Sequence, residues 1–208
     1  MNTPPLFPNA FAWPVRLACL SLSLACAPAF AVDGTITING EIISSTCKIN
    51  GQTPPSDLLV TLPKISTSAL KKKGDFAGAT PFALVLSECP ATLTGEVKAH
   101  FEPGVTTAYE DGNLYAYTTS TAKEKASTIP AGQASQGKAD NVQIQLTNTD
   151  GSVIHLGATD SKAAGAMLTG SDTKGATLRY LARYYKSGDS AIAAGKLYTY
   201  VQYSIVYP

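Results

Sequence analysis

An alternation of apolar and polar residues with a period of two recurs in this chain from residue 32 to the C-terminus. At residues 32–41, one face carries Val32, Gly34, Ile36 and Ile38, and most of the intervening residues are polar. This period is typical of a β-strand with one buried face. A strand at a chain end must find a partner, either in its own sheet or in another molecule.

The same period ends the chain. Val201, Tyr203, Ile205 and Tyr207 share one face of a strand predicted over residues 197–207. Two arrangements are compatible with alternating strands at both ends. The two strands pair with each other in a closed domain, or the last strand borders an open groove that the first strand of a neighbouring molecule fills.

Between the two ends, β-branched and aromatic residues alternate between clusters of turn-forming residues, which predicts an all-β antiparallel sandwich in a single domain. The opening strand is expected to continue to Ile49, and Asp150-Gly151 predicts a hairpin turn. One short helix is predicted near residues 66–72. The other predicted strands are residues 58–62, 82–88, 97–102, 114–119, 142–148, 152–156 and 176–185.

Residues 1–31 have the pattern of a secretory signal peptide. Arg16 precedes an apolar run over residues 17–27, and the segment ends in Ala29-Phe30-Ala31, a small-x-small cleavage pattern. The run is too short to span a bilayer of roughly 30 Å, which argues against a retained anchor. A lipoprotein signal at Cys26 is an alternative. We therefore expect cleavage after Ala31 and one domain over residues 32–208, with residues 32–40 as its opening strand.

Four cysteines are present, and cleavage would remove Cys19 and Cys26. The remaining pair, Cys47 and Cys89, is expected to form one disulfide, because exported chains usually oxidise such pairs. Two free buried thiols are the alternative.

Charge and motifs give little support to an enzyme. The chain has 16 basic and 15 acidic residues, and cleavage would remove one basic residue, Arg16. The two numbers would then be equal, and this balance does not favour nucleic acid as a partner. His100 and His155 are far apart and lack metal-ligand spacing, so we expect no metal site. Neither a nucleophile elbow nor a phosphate-binding glycine loop is present. Paired carboxylates can in principle serve glycoside hydrolysis, and the candidates are Glu102 and the pair Glu110-Asp111. We expect neither an enzyme nor a cofactor.

Several stretches of the chain resemble the major-subunit family of chaperone-usher pili, which are type 1 fimbria-like, and are similar to serotype-specific fimbrial subunits. Taken in order, they cover nearly all of residues 32–208. They are residues 34–47 ending in Cys47, Leu62-Pro-Lys-Ile-Ser66, Thr80-Pro-Phe82 leading to Cys89-Pro90, Ala99-His-Phe-Glu-Pro-Gly104, Arg179-Tyr-Leu-Ala-Arg-Tyr184 and Ser204-Ile-Val-Tyr-Pro208.

The resemblance implies an incomplete immunoglobulin-like β-sandwich that a donor strand from another subunit completes. By position, it assigns Val32, Gly34, Ile36 and Ile38 to the donor strand. Gly34, which has no side chain, would leave its place in the groove shallow, and an incoming strand could begin to displace a chaperone strand there. The acceptor edge would be Val201, Tyr203, Ile205 and Tyr207.

The partners and location are also implied by the resemblance. The partners are other fimbrial subunits in a head-to-tail homopolymer, a periplasmic chaperone, an outer-membrane usher and a tip adhesin. The protein would be exported through the periplasm to a fimbrium on the bacterial surface and would support adhesion. The alternative is a self-contained secreted immunoglobulin-like binding module, or a minor adhesin, whose first strand completes its own sheet.

Overall fold

The alternating segments form antiparallel strands in a computed structural model that describes residues 36–43, 47–121 and 137–208. The predicted signal peptide, Val32 and Gly34 lie outside the described residues. The chain divides into residues 1–41 and a second unit of residues 42–208, which contains every strand described below. Its strands are β1 (Lys48–Ile49), β2 (Phe76–Cys89), β3 (Glu96–Glu102), β4 (Thr107–Ala108), β5 (Asn113–Thr119), β6 (Lys138–Asn148), β7 (Gly165–Met167), β8 (Lys174–Lys186), β9 (Lys196–Tyr198) and β10 (Gln202–Val206).

Two sheets result from the pairing of these strands. The larger has the order β1-β2-β8-β6-β5-β4, with β9 also paired to β5, and the smaller has the order β10-β3-β7. Strand β8 lies in the middle of the larger sheet, paired with β2 on one side and β6 on the other. Strand β10 pairs with β3 from Gln202 opposite Glu102 to Val206 opposite Lys98.

A single hydrophobic core joins the inner faces of the two sheets. Val97, Ala99 and Phe101 of β3 belong to the same cluster of buried residues as Leu178 and Tyr180 of β8. The hydroxyl of Tyr180 accepts a hydrogen bond from the backbone N–H of Ala99 at 3.2 Å and donates one to the carbonyl oxygen of Ala164 at 2.7 Å. A buried phenol with both of its bonds satisfied fixes one sheet against the other.

The strand predictions for 82–88, 97–102, 114–119, 142–148 and 176–185 are confirmed, because each lies within an observed strand. The prediction for 58–62 is wrong, since no strand is present there. Pro54, Pro55 and Pro63 flank that segment and cannot donate to a sheet ladder. The prediction for 152–156 is also wrong. The turn at Asp150-Gly151 is present, but the chain beyond it makes only a single bridge, between Val153 and Thr147.

Three further predictions need correction. The predicted strand 197–207 is two strands, because β9 pairs with β5 in the larger sheet and β10 pairs with β3 in the smaller one. The opening strand does not continue to Ile49, since residues 36–43 contain no strand and only Lys48–Ile49 pair with β2. The predicted helix is a 3₁₀ turn at Thr67–Ala69, which the Ser66 hydroxyl caps by accepting from the N–H of Ser68.

Candidate functional site

The last strand, β10, alternates along its length in the way the sequence predicts. Val201, Tyr203, Ile205 and Tyr207 are partly buried and pack against the hydrophobic core. The intervening side chains of Gln202, Ser204 and Val206 are exposed. All four residues assigned to the acceptor edge therefore share one inward-facing row. Each of them remains partly exposed.

One edge of β10 is open within the described residues. The strand pairs with β3 on one side, and no described strand pairs with it on the other. In an antiparallel pair, the backbone N–H and C=O groups of alternate residues point toward the neighbour and those of the remaining residues point away. The outward-pointing groups of β10 form a template on which a further strand can pair.

Tyrosine hydroxyls connect β10 to the chain that follows Cys47. The Tyr203 hydroxyl donates a hydrogen bond to the carbonyl oxygen of Ser56 at 2.6 Å, and the backbone N–H of Cys47 donates one to the Tyr207 hydroxyl at 3.2 Å. Burial raises the pKa of the Tyr203 phenol above its ordinary value of 10.0. The phenol is thus a protonated donor at neutral pH, and its bond fixes β10 from the inside while leaving the outer edge open.

A disulfide joins Cys47 to Cys89, the last residue of β2. Both cysteines are buried in the same hydrophobic core as the inner face of the larger sheet. The backbone N–H of Cys47 also donates to the Tyr207 hydroxyl. The disulfide and this hydrogen bond together link the end of β2 to the residue that follows β10. The free-thiol alternative does not apply to this structure.

Two of the residues assigned to the donor strand, Ile36 and Ile38, lie within the described residues. Ile36 and Ile38 are 89% and 88% exposed, and residues 36–43 have no regular secondary structure. Exposed isoleucines at alternate positions of one segment are unusual in a folded chain, because burying each would gain about 1.5–3 kcal/mol. This segment therefore carries two exposed apolar side chains at alternate positions.

Two features of this region were missed by the sequence analysis. Ser56 is buried, and its carbonyl oxygen is the partner of Tyr203. No pattern in the sequence marks it, since it lies between prolines and an acidic residue. Val60 and Leu62, which follow it, are partly buried against the core without belonging to a strand. Their alternation signalled burial correctly but did not distinguish a strand from an extended segment.

Glu102 and Asp111, two of the candidate carboxylates, make hydrogen bonds to neighbouring side chains. Glu102 accepts a hydrogen bond from the Ser204 hydroxyl at 2.6 Å and lies 3.6 Å from Nε2 of His100. Asp111 accepts one from the side-chain amide of Gln143 at 2.7 Å. Among residues 36–43, 47–121 and 137–208, no group of three or more acidic, histidine or cysteine side chains is arranged to hold a metal ion. In the same ranges, no helix is long and apolar enough to cross a membrane.

Comparison with known proteins gives this architecture a family. The family model described as type-1 fimbrial protein, A, matches residues 62–208. A serotype 3 fimbrial subunit of Bordetella pertussis is 41% identical, over 96% of this chain and 100% of the relative. A serotype 2 fimbrial subunit of the same species is 42% identical, over 91% and 95%. The major fimbrial subunit SMF-1 of Stenotrophomonas maltophilia is 36% identical, over 88% and 99%.

Solved structures show the same fold at low sequence identity. A chaperone-usher pilus structure, reported for the molecular basis of rod uncoiling, covers 88% of this chain with a TM-score of 0.53 and 18% identity, and all of that chain is matched. The P pilus rod subunit PapA covers 79% with a TM-score of 0.53 and 15% identity, again over all of that chain.

The all-β sandwich, whose last strand has one edge unpaired among the described residues, is thus the incomplete immunoglobulin-like fold of pilus subunits. The chain belongs to the type-1 fimbrial protein family. It is a structural subunit that polymerises with other subunits into a fimbrium on the cell surface.

Proposed function

We propose that this subunit polymerises by donor-strand exchange, in which residues 32–40 of one copy pair with β10 of the next. The observation that carries the proposal is the open edge of β10 above its inward apolar row, Val201, Tyr203, Ile205 and Tyr207. A strand added there would satisfy the outward backbone groups, and its alternate side chains would cover that row. Val32, Gly34, Ile36 and Ile38 are the donor side chains.

Assembly then proceeds head to tail. The donor and acceptor surfaces are different parts of one chain, so the contact is heterologous and propagates into a fibre. Before assembly, an open edge and exposed apolar residues favour aggregation, and a periplasmic chaperone that lends a strand of its own would prevent it. Exchange begins at the shallow position of Gly34. The remaining parts of the proposal are cleavage after Ala31, an outer-membrane usher and a tip adhesin.

A matched pair of variants tests the donor assignment. Ile36→Asp puts a charge on the donor face, whereas Thr37→Asp puts the same charge on the opposite face one residue away. We expect Ile36→Asp to remain folded and chaperone-bound but to be absent from fibres, because burying an unpaired carboxylate is costly. Thr37→Asp should still assemble. The readouts are electron micrographs of surface fibres and a heat-sensitive ladder of oligomers on gels.

The same readouts discriminate the alternative of a self-contained binding module. A module would migrate as one band on a gel, and Ile36→Asp would destabilise the module itself, because its first strand would lie in its own sheet. Normal fibres of the Ile36→Asp variant would contradict the donor assignment, and so would equal loss of assembly in both variants.

A further inference from the structure

Two Asn-Gly dipeptides, Asn39-Gly40 and Asn50-Gly51, occur in the chain, and their surroundings differ. The asparagine of such a pair is prone to attack by the next residue's backbone nitrogen on its own side-chain amide carbon. Glycine permits this attack because it has no Cβ to block the approach and restricts the backbone least. Whether the reaction occurs depends on how firmly the local structure holds the side chain and the peptide that follows it.

Both residues of Asn39-Gly40 are exposed and lie in a segment without regular secondary structure. A Cβ placed on Gly40 would meet no atom within 4 Å. Within the described residues, no hydrogen bond involves either residue. The peptide is therefore free to rotate into the geometry that the attack requires.

Asn50-Gly51 is held in a tight turn. The backbone N–H groups of Ile49 and Gln52 each donate to the other residue's carbonyl, at 2.8 and 2.9 Å. The Asn50 side-chain oxygen accepts a hydrogen bond from the backbone N–H of Val85 at 3.0 Å. The backbone N–H of Asn50 donates one to the Val85 carbonyl oxygen at 2.8 Å. Rotating this peptide for attack would break several of these bonds at once.

We propose that Asn39 is a site of spontaneous covalent modification, at which the unassembled subunit deamidates. The Gly40 nitrogen forms a bond to Cγ of Asn39, and the bond from Cγ to Nδ2 breaks. Ammonia leaves with the proton of the Gly40 N–H, and a five-membered succinimide remains. Water from solvent then opens the ring at one of its two carbonyls. The product is either aspartate or an isoaspartyl link that runs through Cβ, and no oxidant or reductant is consumed.

The consequence for assembly rests on the proposed donor-strand function. An isoaspartyl link adds one carbon to the backbone and a carboxylate directly after Ile38. Since a strand pairs at a fixed repeat, the extra carbon shifts Gly40 and the residues after it out of phase with the donor residues before Asn39. Once residues 32–40 pair with another subunit, their backbone is fixed and the reaction slows. Unassembled subunits therefore deamidate faster than assembled subunits.

The first test compares the two dipeptides in one molecule. The purified chain is incubated in mildly alkaline buffer, reduced and digested with trypsin, which separates the two sites by cleaving after Lys48. Mass spectrometry follows the gain of about one dalton on each peptide, and isoaspartyl methyltransferase labelling detects the isoaspartyl product. We expect Asn39 to react severalfold faster than Asn50.

The variant Gly40→Ala should suppress the reaction at Asn39 severalfold without affecting the fold, since a Cβ at position 40 has room. Equal rates at both sites, or an unchanged rate in Gly40→Ala, would overturn the proposal.

The second test compares free and assembled subunits. Intact fibres are incubated in parallel, and we expect Asn39 in them to react severalfold more slowly than in the free chain. If Asn39 reacts equally in fibres and in free chains while remaining faster than Asn50, the modification site stands. In that case the proposal that residues 32–40 pair with another subunit, and are protected by that pairing, is wrong. This outcome separates a failure of the proposed function from a failure of the site.

Discussion

Strands β8 and β10 have similar sequence patterns but different neighbours. Both alternate apolar and polar residues, and both contribute tyrosines to the core. Strand β8 pairs on both sides, with β2 and β6, whereas β10 pairs only with β3 among the described residues. Burial of one face of a strand thus does not decide which of its edges is paired. In this fold the larger sheet completes its own centre, and the smaller sheet leaves one edge of β10 unpaired among the described residues.

Side chains reinforce the same contrast. Next to β8, a chain of hydrogen bonds runs from Arg183 to Gln145, then to Asn113, Gln143 and Asp111, and so spans three strands. These donors and acceptors are largely satisfied within the sheet. On or next to β10, the described side chains take part in three separate bonds: Tyr203 to Ser56, Cys47 to Tyr207 and Ser204 to Glu102. One connected network therefore ties three strands of the larger sheet together, whereas β10 is held by separate bonds.

The largest effect is expected from the disulfide. Cys89 ends β2 of the larger sheet, and Cys47 donates a hydrogen bond to Tyr207, next to β10. Replacing both Cys47 and Cys89 by Ala opens a link across a sequence separation of 42 residues. We expect the free energy of unfolding to fall by about 4 kcal/mol, since the unfolded chain gains the entropy of the closed loop. Chemical denaturation with and without a reducing agent measures this loss. Reduction should have no further effect on the double variant, and a loss near zero would contradict the role given to the bridge.

A smaller effect is expected where the two sheets meet. Tyr180→Phe removes the hydroxyl that bonds Ala99 of β3 and Ala164, and it leaves a buried N–H and a carbonyl without their partner. We expect a loss of about 1–3 kcal/mol in the free energy of unfolding. Amide hydrogen exchange at Ala99 should increase more than exchange in the middle of β8. If protection falls equally in both strands, Tyr180 does not act specifically on the contact between the sheets.

The smallest effect is expected at β10 itself. Tyr203→Phe removes a single hydrogen bond to Ser56 and should cost about 1 kcal/mol. Because the folded-state pKa of Tyr203 is raised above 10.0, the protonated phenol stabilises the fold at lower pH, and that contribution is lost as pH rises through the raised pKa. Tyr203→Phe should therefore flatten the alkaline decline of the melting temperature. Tyr109→Phe, at an exposed tyrosine, is the control and should leave the decline unchanged.

How far sequence reasoning succeeded depended on the neighbours of each segment. It located β3, β5, β6 and β8 because their alternating residues lie between turn residues and face one core. It failed at residues 58–62 and 152–156, where alternating side chains are partly or fully buried but the backbone lacks a continuous partner. Alternation reports burial of one face and does not report whether a ladder forms.

The candidate site shows the same limit. The inward row of β10 was readable in the sequence, since Val201, Tyr203, Ile205 and Tyr207 are spaced two apart. The division of residues 197–207 between two sheets was not readable, because the alternation continues through the crossing. The bond from Tyr203 to Ser56 joins residues 147 positions apart, and no local pattern encodes such a contact.

By itself, the sequence predicted that this chain is an all-β protein, that Cys47 and Cys89 form a bridge, and which side chains of its last strand face inward. Only the tertiary structure decided that this strand lies at the border of the smaller sheet, with one edge unpaired among the described residues. The physical reason is that side-chain alternation is a local property of the backbone. The neighbour of a strand is chosen by hydrogen bonds and packing between residues far apart in the chain.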